Sequence, residues 1–148
     1  MMQNHNNGFQ LQQVLNYRKE IEKVRKVEFA TAKREFESAT EVLERHKAEA
    51  DQARVEYNNK QASVVNAAEL QMYADFFRRK TGDIQSQRVQ VDSLGREMTE
   101  RREELMDAAK DKKALELLKE RQMAALRRER AEKERAFLEE LAIQKAHR

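Results

Sequence analysis

Proline and cysteine are both absent from the 148 residues, and glycine occurs only at positions 8, 82 and 95. Proline breaks helix interiors by removing a donor and clashing with the preceding turn, so its absence leaves long helices uninterrupted. Without cysteine there are no disulfides and no thiolate zinc sites, which fits a reducing compartment. Aromatic residues make up 6% of the chain, too few for a conventional globular core. No apolar run approaches the roughly 18 residues that span a bilayer. The opening MMQNHNNG is polar and lacks the basic and apolar regions of a signal peptide. Residues 1–8 are therefore expected to form a flexible polar arm.

What the chain has in abundance is charge. Asp, Glu, Lys and Arg account for 39% of it, with 30 basic and 27 acidic residues and a net charge of +3. Together with many Ala and Leu, this is the composition of coiled coils and long helices. The two signs interleave, as at Arg18, Lys19 and Glu20 and across residues 97–104. Interleaving describes solvated coiled-coil flanks, not a continuous basic footprint for nucleic acid. The basic excess is densest around Arg127, Arg128 and Arg130, a run that reads first as a solvated helix face and second as a contact surface.

Apolar residues recur every seven positions through the first half. Phe29, Phe36, Leu43, Ala50, Tyr57 and Val64 form one series. Ala32, Ala39, Ala53 and Ala67 sit three positions after members of it, with His46 and Lys60 as polar exceptions. This is an a/d seam sustained over five or more heptads. Upstream, Val14, Tyr17, Ile21 and Val24 are expected to continue the stripe with an offset of one position, the drift of a 3.6-residue period. The second half repeats the pattern in Ile84, Val91, Leu94, Met98, Leu105, Ala108, Leu115 and Leu118.

Two such helices in one chain suggest a hairpin, with the turn either at Gly82 or just before Asn66. In an antiparallel pair the residue numbers of facing positions have a constant total. A turn at Gly82 sets Phe36 against Arg128 to Arg130. A turn near residues 64–65 sets Val14 against Leu115, Ile21 against Ala108, Ala32 against Met98 and Phe36 against Leu94. The second register pairs apolar with apolar, and NAAE at residues 66–69 resembles a capping box. The expected fold is all-α, a long antiparallel two-helix coiled-coil hairpin. Helix one is expected over about 9–61, the turn over 62–66 and helix two over 67–145. The paired part would be roughly 75 to 80 Å long at 1.5 Å per residue. Beyond about residue 121 the second helix has no partner, and this overhang carries Met123, Leu126, Phe137, Leu138 and Leu141.

Catalytic constellations are not apparent. The three glycines are isolated, so there is no phosphate-cradling loop. His5, His46 and His147 are far apart, and His46 reads as a polar register element, not a metal ligand. Carboxylate pairs such as Glu103 and Glu104 lie on a charged helix with no cleft behind them. No enzyme activity, cofactor or metal is expected.

Three stretches carry a resemblance. FQLQQVLNYR at residues 9–18 resembles the start of the flagellar export protein FliJ family, F-x-L-x-x-V-L-x-x-R after a short arm. LQMYADFF at residues 70–77 is similar to that family's Y-x-x-F segment. LKERQ at residues 118–122 and FLEELA at residues 137–142 resemble its C-terminal stretches. Order, spacing and chain length agree over nearly the whole sequence.

The resemblance implies a cytoplasmic component of the flagellar type III export apparatus, peripherally associated with the inner membrane. Family members are hairpins similar to the central stalk subunit of rotary ATP synthases. The implied partners are a hexameric export ATPase, whose pore receives the open end, the membrane protein of the export gate, and export chaperones. Neither nucleic acid nor direct membrane insertion is implied. For the gate, the implied contact residues are Tyr57, Tyr73 and Phe76. For the ATPase ring they are Arg18, Arg121, Arg127, Arg128, Phe137 and Leu141. Ala53 and Lys80 stand where some relatives carry larger apolar residues. The competing readings are a structural coiled-coil adaptor or chaperone bridging other complexes, and a nucleic-acid-associated helical protein suggested by the pI near 9.2.

Overall fold

The computed structural model describes residues 3–61, 63 and 66–147, with side chains from Leu11 onward. It consists of two helices, α1 (Gln3–Lys60, 58 residues) and α2 (Ala67–Ala146, 80 residues). They pack against each other as a helical hairpin, and no strand occurs among the described residues. α1 starts six residues ahead of the sequence expectation, taking in residues 3–8 that were expected as an arm. Nothing in that stretch forbids it, since Asn and a single Gly lower helix propensity without blocking a helix as proline does. Residues 1, 2, 62, 64, 65 and 148, which include Val64 of the expected seam, lie outside the described residues.

The helix ends follow from local chemistry. At the close of α1, Gln61 N–H donates to Tyr57 O at 3.0 Å, and Ser63 donates to Lys60 O through its N–H and its hydroxyl. At the start of α2, Asn66 Oδ1 accepts from the Glu69 N–H at 2.8 Å, satisfying one of the orphan donors of a first turn. Glu69 also places negative charge at the positive end of the helix dipole. Gly82 lies inside α2, and no atom stands within 4 Å of where its Cβ would be.

Two compact units divide the chain, one made of Met1–Val24 with Met106–Arg148, the other of Arg25–Leu105. In the second unit the buried residues are Ala32, Ala39, Leu43, Ala50 and Ala53, all on α1. Phe29, Phe36 and Tyr57 from α1 and Ile84, Val91, Leu94, Met98 and Leu105 from α2 are half-buried. Small alanines on α1 thus alternate with larger residues on both helices, as close packing requires. Phe36 lies over Gly95, where an added Cβ would come within 3.2 Å of the ring.

In the unit of Met1–Val24 and Met106–Arg148, the buried residues are Leu15, Glu22 and Ala108. This corrects two expectations. The upstream stripe does not shift by one position: Val14, Tyr17 and Val24 are exposed, and only Ile21 is half-buried. The heptad series instead runs back unbroken from Phe29 to Glu22 and Leu15. Leu118 is likewise exposed, and its neighbour Lys119 is half-buried and donates to Gln12 Oε1. A helix wound to 3.5 residues per turn has no drift to correct, and the charges this brings into the seam are paired.

Those pairs report the register. Arg18–Asp111 at 3.4 Å, Arg25–Glu104 at 3.4 Å, Glu28–Arg101 at 3.7 Å and Glu49–Lys80 all join residues whose numbers total 129. Arg25, Glu28, Arg101 and Glu104 form a continuous network, and the hydrogen bond from Arg101 to Glu104 raises the already high pKa of that guanidinium.

Candidate protein-binding surfaces

The first surface lies in the unit Arg25–Leu105. Tyr57 near the end of α1 meets Tyr73 on the first turns of α2, with ring centroids 5.3 Å apart and planes tilted by 60°. Phe77 joins both, at 6.3 Å from Tyr57 and 6.3 Å from Tyr73, and Phe76 meets Phe77 edge-on at 6.0 Å. Aromatic pairs at these separations add stability beyond the area they bury. Beside the cluster runs an open groove of about 820 Å³ whose apolar lining is Ala53, Met72, Tyr73 and Phe76. Charges of both signs, among them Lys60, Glu69 and Arg79, form the rest of its wall. The Lys60 ammonium lies 5.7 Å from the Tyr73 ring centroid, and that of Lys80 lies 5.7 Å from the Phe76 centroid.

Of the three gate residues expected from sequence, Tyr73 and Phe76 line the groove, and Tyr57 packs on Tyr73 without lining it. Phe77 was missed. The Y-x-x-F spacing points from Tyr73 to Phe76, whereas the helix places position i+4, Phe77, on the same stripe as Tyr73. Helical periodicity alone would have found it.

One turn further along α2, Lys80 occupies a seam position with only 12% of its side chain exposed. It donates to the Glu49 carboxylate and to Nδ1 of His46 at 3.0 Å. A lysine ammonium only donates, so Nδ1 serves as the acceptor in this contact. The hydrogen bond and charge of Lys80 hold the Glu49 carboxyl below its ordinary value of 4.5. His46 is therefore a polar contact in the seam.

The second set of expected residues lies in the unit of Met1–Val24 and Met106–Arg148. Arg18 is engaged by Asp111 and is half-buried. Arg121, Arg127 and Arg128 are exposed on α2, and Arg127 borders a shallow cleft of about 340 Å³ with Leu15, Lys19, Lys119 and Met123. From residue 125 to residue 147 every residue is exposed. Phe137 is 61% exposed and Leu141 44%, and Leu138 and Ile143 beside them are also exposed. Arg18 and the basic residues of α2 are thus not gathered into one pocket. They are distributed along the helices, with Arg18 already paired.

Between them, Glu22 accepts a 3.0 Å hydrogen bond from Lys112, whose ammonium also lies 3.9 Å from Glu116. The Glu22 bond raises the Lys112 pKa above its ordinary 10.5, against a smaller opposing effect of burial. Among the described residues no group of three or more His, Cys, Asp or Glu side chains could hold a metal ion, and no helix is long and apolar enough to cross a membrane. What the surfaces offer is aromatic, aliphatic and basic contact area, the composition of a protein-binding face.

Neither the curated proteins nor the solved structures contain a match to this chain. The family model described as the flagellar FliJ protein matches residues 7–148, nearly the whole sequence. The chain belongs to the flagellar FliJ family, and so is a non-enzymatic coiled-coil component of the flagellar protein export apparatus.

Proposed function

We propose that this protein is the stalk-like coupling element of the export apparatus, contacting a hexameric export ATPase through one surface and the membrane protein of the export gate through another. It works in the cytoplasm, peripherally associated with the inner-membrane apparatus, and also contacts export chaperones. The single observation that supports the reading most is the bare end of α2. Over residues 125–147 an entire helical segment is exposed, and it displays Phe137, Leu138 and Leu141. Large apolar side chains grouped on an uncovered helix are unfavourable in water and mark an interaction site. Arg121, Arg127 and Arg128, exposed ahead of them, suit attraction to acidic loops lining a ring's pore, an effect that salt weakens.

The aromatic groove supports the second contact. Tyr57, Tyr73 and Phe76 present rigid rings at low entropic cost, the property that makes aromatic residues frequent interface anchors. Truncation after Gln122 tests the ATPase half of the reading. The shortened protein keeps every cross-helix ion pair named above, so it should remain helical while losing ATPase binding and stimulation. Wild-type ATPase binding by the folded truncation would remove residues 123–148 from the mechanism.

A further inference from the structure

We propose that the charged side chains of the helix–helix seam are the register key of the hairpin. Lys80 in one unit and Lys112 in the other, each with acceptors on α1, hold the two helices against a slip of one heptad that the apolar residues alone would accept.

A heptad repeat is degenerate, because sliding one helix by seven residues returns seam positions to seam positions. In the observed register, where facing numbers total 129 or 130, Ala32 faces Met98 and Ala39 faces Val91. Lowering the total by seven sets Ala32 against Val91, Ala39 against Ile84 and Phe29 against Leu94. In the other unit Leu15 then meets Ala108 instead of Leu115. Each of these is again apolar on apolar. The turn would move back by about three to four residues, onto Asn58 and Asn59, a residue type that turns favour. Hydrophobic burial therefore barely separates the two registers.

The charged layers do separate them. Lys80, with 12% of its side chain exposed, donates to Glu49 and to His46 Nδ1 at 3.0 Å. After the slip, Val42 and Ala39 take the places of Glu49 and His46, and neither has a side-chain acceptor. Lys112 donates to the buried Glu22 at 3.0 Å. After the slip, Leu15 takes the place of Glu22, which leaves Lys112 only Glu116 of its own helix, 3.9 Å away in the observed register. A half-buried ammonium stripped of its partner is costly. The opposite slip is barred by Lys119, which donates to Gln12 and would be carried onto Arg18 and Lys19, like charges that repel. Each seam charge thus gives less stability than a leucine would and singles out one register, as buried polar groups do in other coiled coils.

The chain has no cysteine, so its register can be trapped directly. Ala39→Cys, Ile84→Cys and Val91→Cys are placed together in the full-length chain, in a thiol–disulfide exchange buffer. A disulfide from position 39 to position 91 reports the observed register, and one from 39 to 84 reports the slipped one. Seven residues span about 10 Å of helix, too far for one register to form both bonds. Trypsin cleavage after Arg88 puts positions 84 and 91 on different peptides, so mass spectrometry quantifies the two products.

With both lysines present, the 39–91 product should exceed the 39–84 product by at least about tenfold, the scale of one charged hydrogen bond. Lys80→Leu with Lys112→Leu should raise the slipped fraction at least about tenfold, since after the slip these positions face Leu43 and Leu11. Lys80→Arg with Lys112→Arg keeps the cations and should keep the observed register. An unchanged product ratio in the leucine variant would overturn the proposal, as would equal slipping in the arginine variant. Loss of helix content by the leucine variant would overturn it too, because the proposal requires a folded hairpin in the second register.

Discussion

At the scale of single residues, the notable feature is how many seam positions are charged. Glu22 is 6% exposed and sits where the heptad calls for an apolar side chain. Its bond to Lys112 satisfies it, but a desolvated ion pair is usually no more stabilising than a well-packed apolar pair, whereas removing one member alone is costly. Lys112→Ala should therefore lower the thermal midpoint. The double replacement Glu22→Leu with Lys112→Leu should restore or exceed the wild-type midpoint, checked by circular dichroism melts. A double variant less stable than the single one would mean that the pair contributes net stability.

The direction of the pKa shifts sets the matching pH dependence. Glu49 has its pKa lowered in the folded chain by Lys80. Its contribution is thus fully present above its ordinary value of 4.5 and is lost as the pH falls through the lower folded value. For Lys112, whose pKa is raised, the contribution is present below 10.5 and is lost as the pH rises through the higher folded value. Acid melts of Glu49→Gln should accordingly show a flatter decline below about pH 4.5 than wild type. Parallel acid limbs for the two proteins would show that the Glu49–Lys80 contact does not contribute.

At the scale of the elements, glycine positions give the sharpest contrast. Gly82 has open space where a Cβ would stand, and Gly95 has the Phe36 ring at 3.2 Å. Neither takes a positive φ. Gly82→Ala should stabilise α2 by about 0.5 to 1 kcal/mol, the helix-propensity difference. Gly95→Ala should gain less or lose stability, because Phe36 must give way. Equal gains from the two substitutions, measured by chemical denaturation, would show that Phe36 does not pack on Gly95. Asn66→Ala should cost about 1 kcal/mol by removing the cap of the Glu69 N–H.

The sequence disclosed much of this level. Absent proline, heptad spacing and the pairing of apolar positions led to a two-helix hairpin with Gly82 inside a helix. It misled where hydropathy and burial part company. Val14, Tyr17, Ile21 and Val24 are apolar at helical spacing and so resembled the seam, while Arg18, Glu22 and Arg25 hold it through cross-helix partners. A periodicity reading cannot see those partners, because it scores each charge without the opposite charge that neutralises it. Phe77 was missed for a different reason: a motif spacing drew attention to Phe76, although helical periodicity marks Phe77.

At the scale of the whole molecule, membership of the flagellar FliJ family makes the chain a component of the export apparatus. The proposed division of labour follows from where the two kinds of surface fall. Aromatic anchors belong to the unit Arg25–Leu105, and the exposed apolar and basic residues belong to the unit that contains Met106–Arg148. Export chaperones, a structural adaptor role and nucleic acid would each draw on different features. Binding to nucleic acid would fall steeply with salt through several phosphate contacts.

The most direct measurement of the central claim is a binding matrix at one salt concentration. The wild-type chain, Tyr57→Ala, Phe76→Ala and the truncation after Gln122 are each titrated against the hexameric ATPase and against the cytoplasmic part of the gate protein. The account predicts a double dissociation. The two aromatic variants lose gate binding and keep the ATPase, and the truncation loses the ATPase and keeps the gate. Loss of both partners by any one folded variant would contradict the separation of the two surfaces.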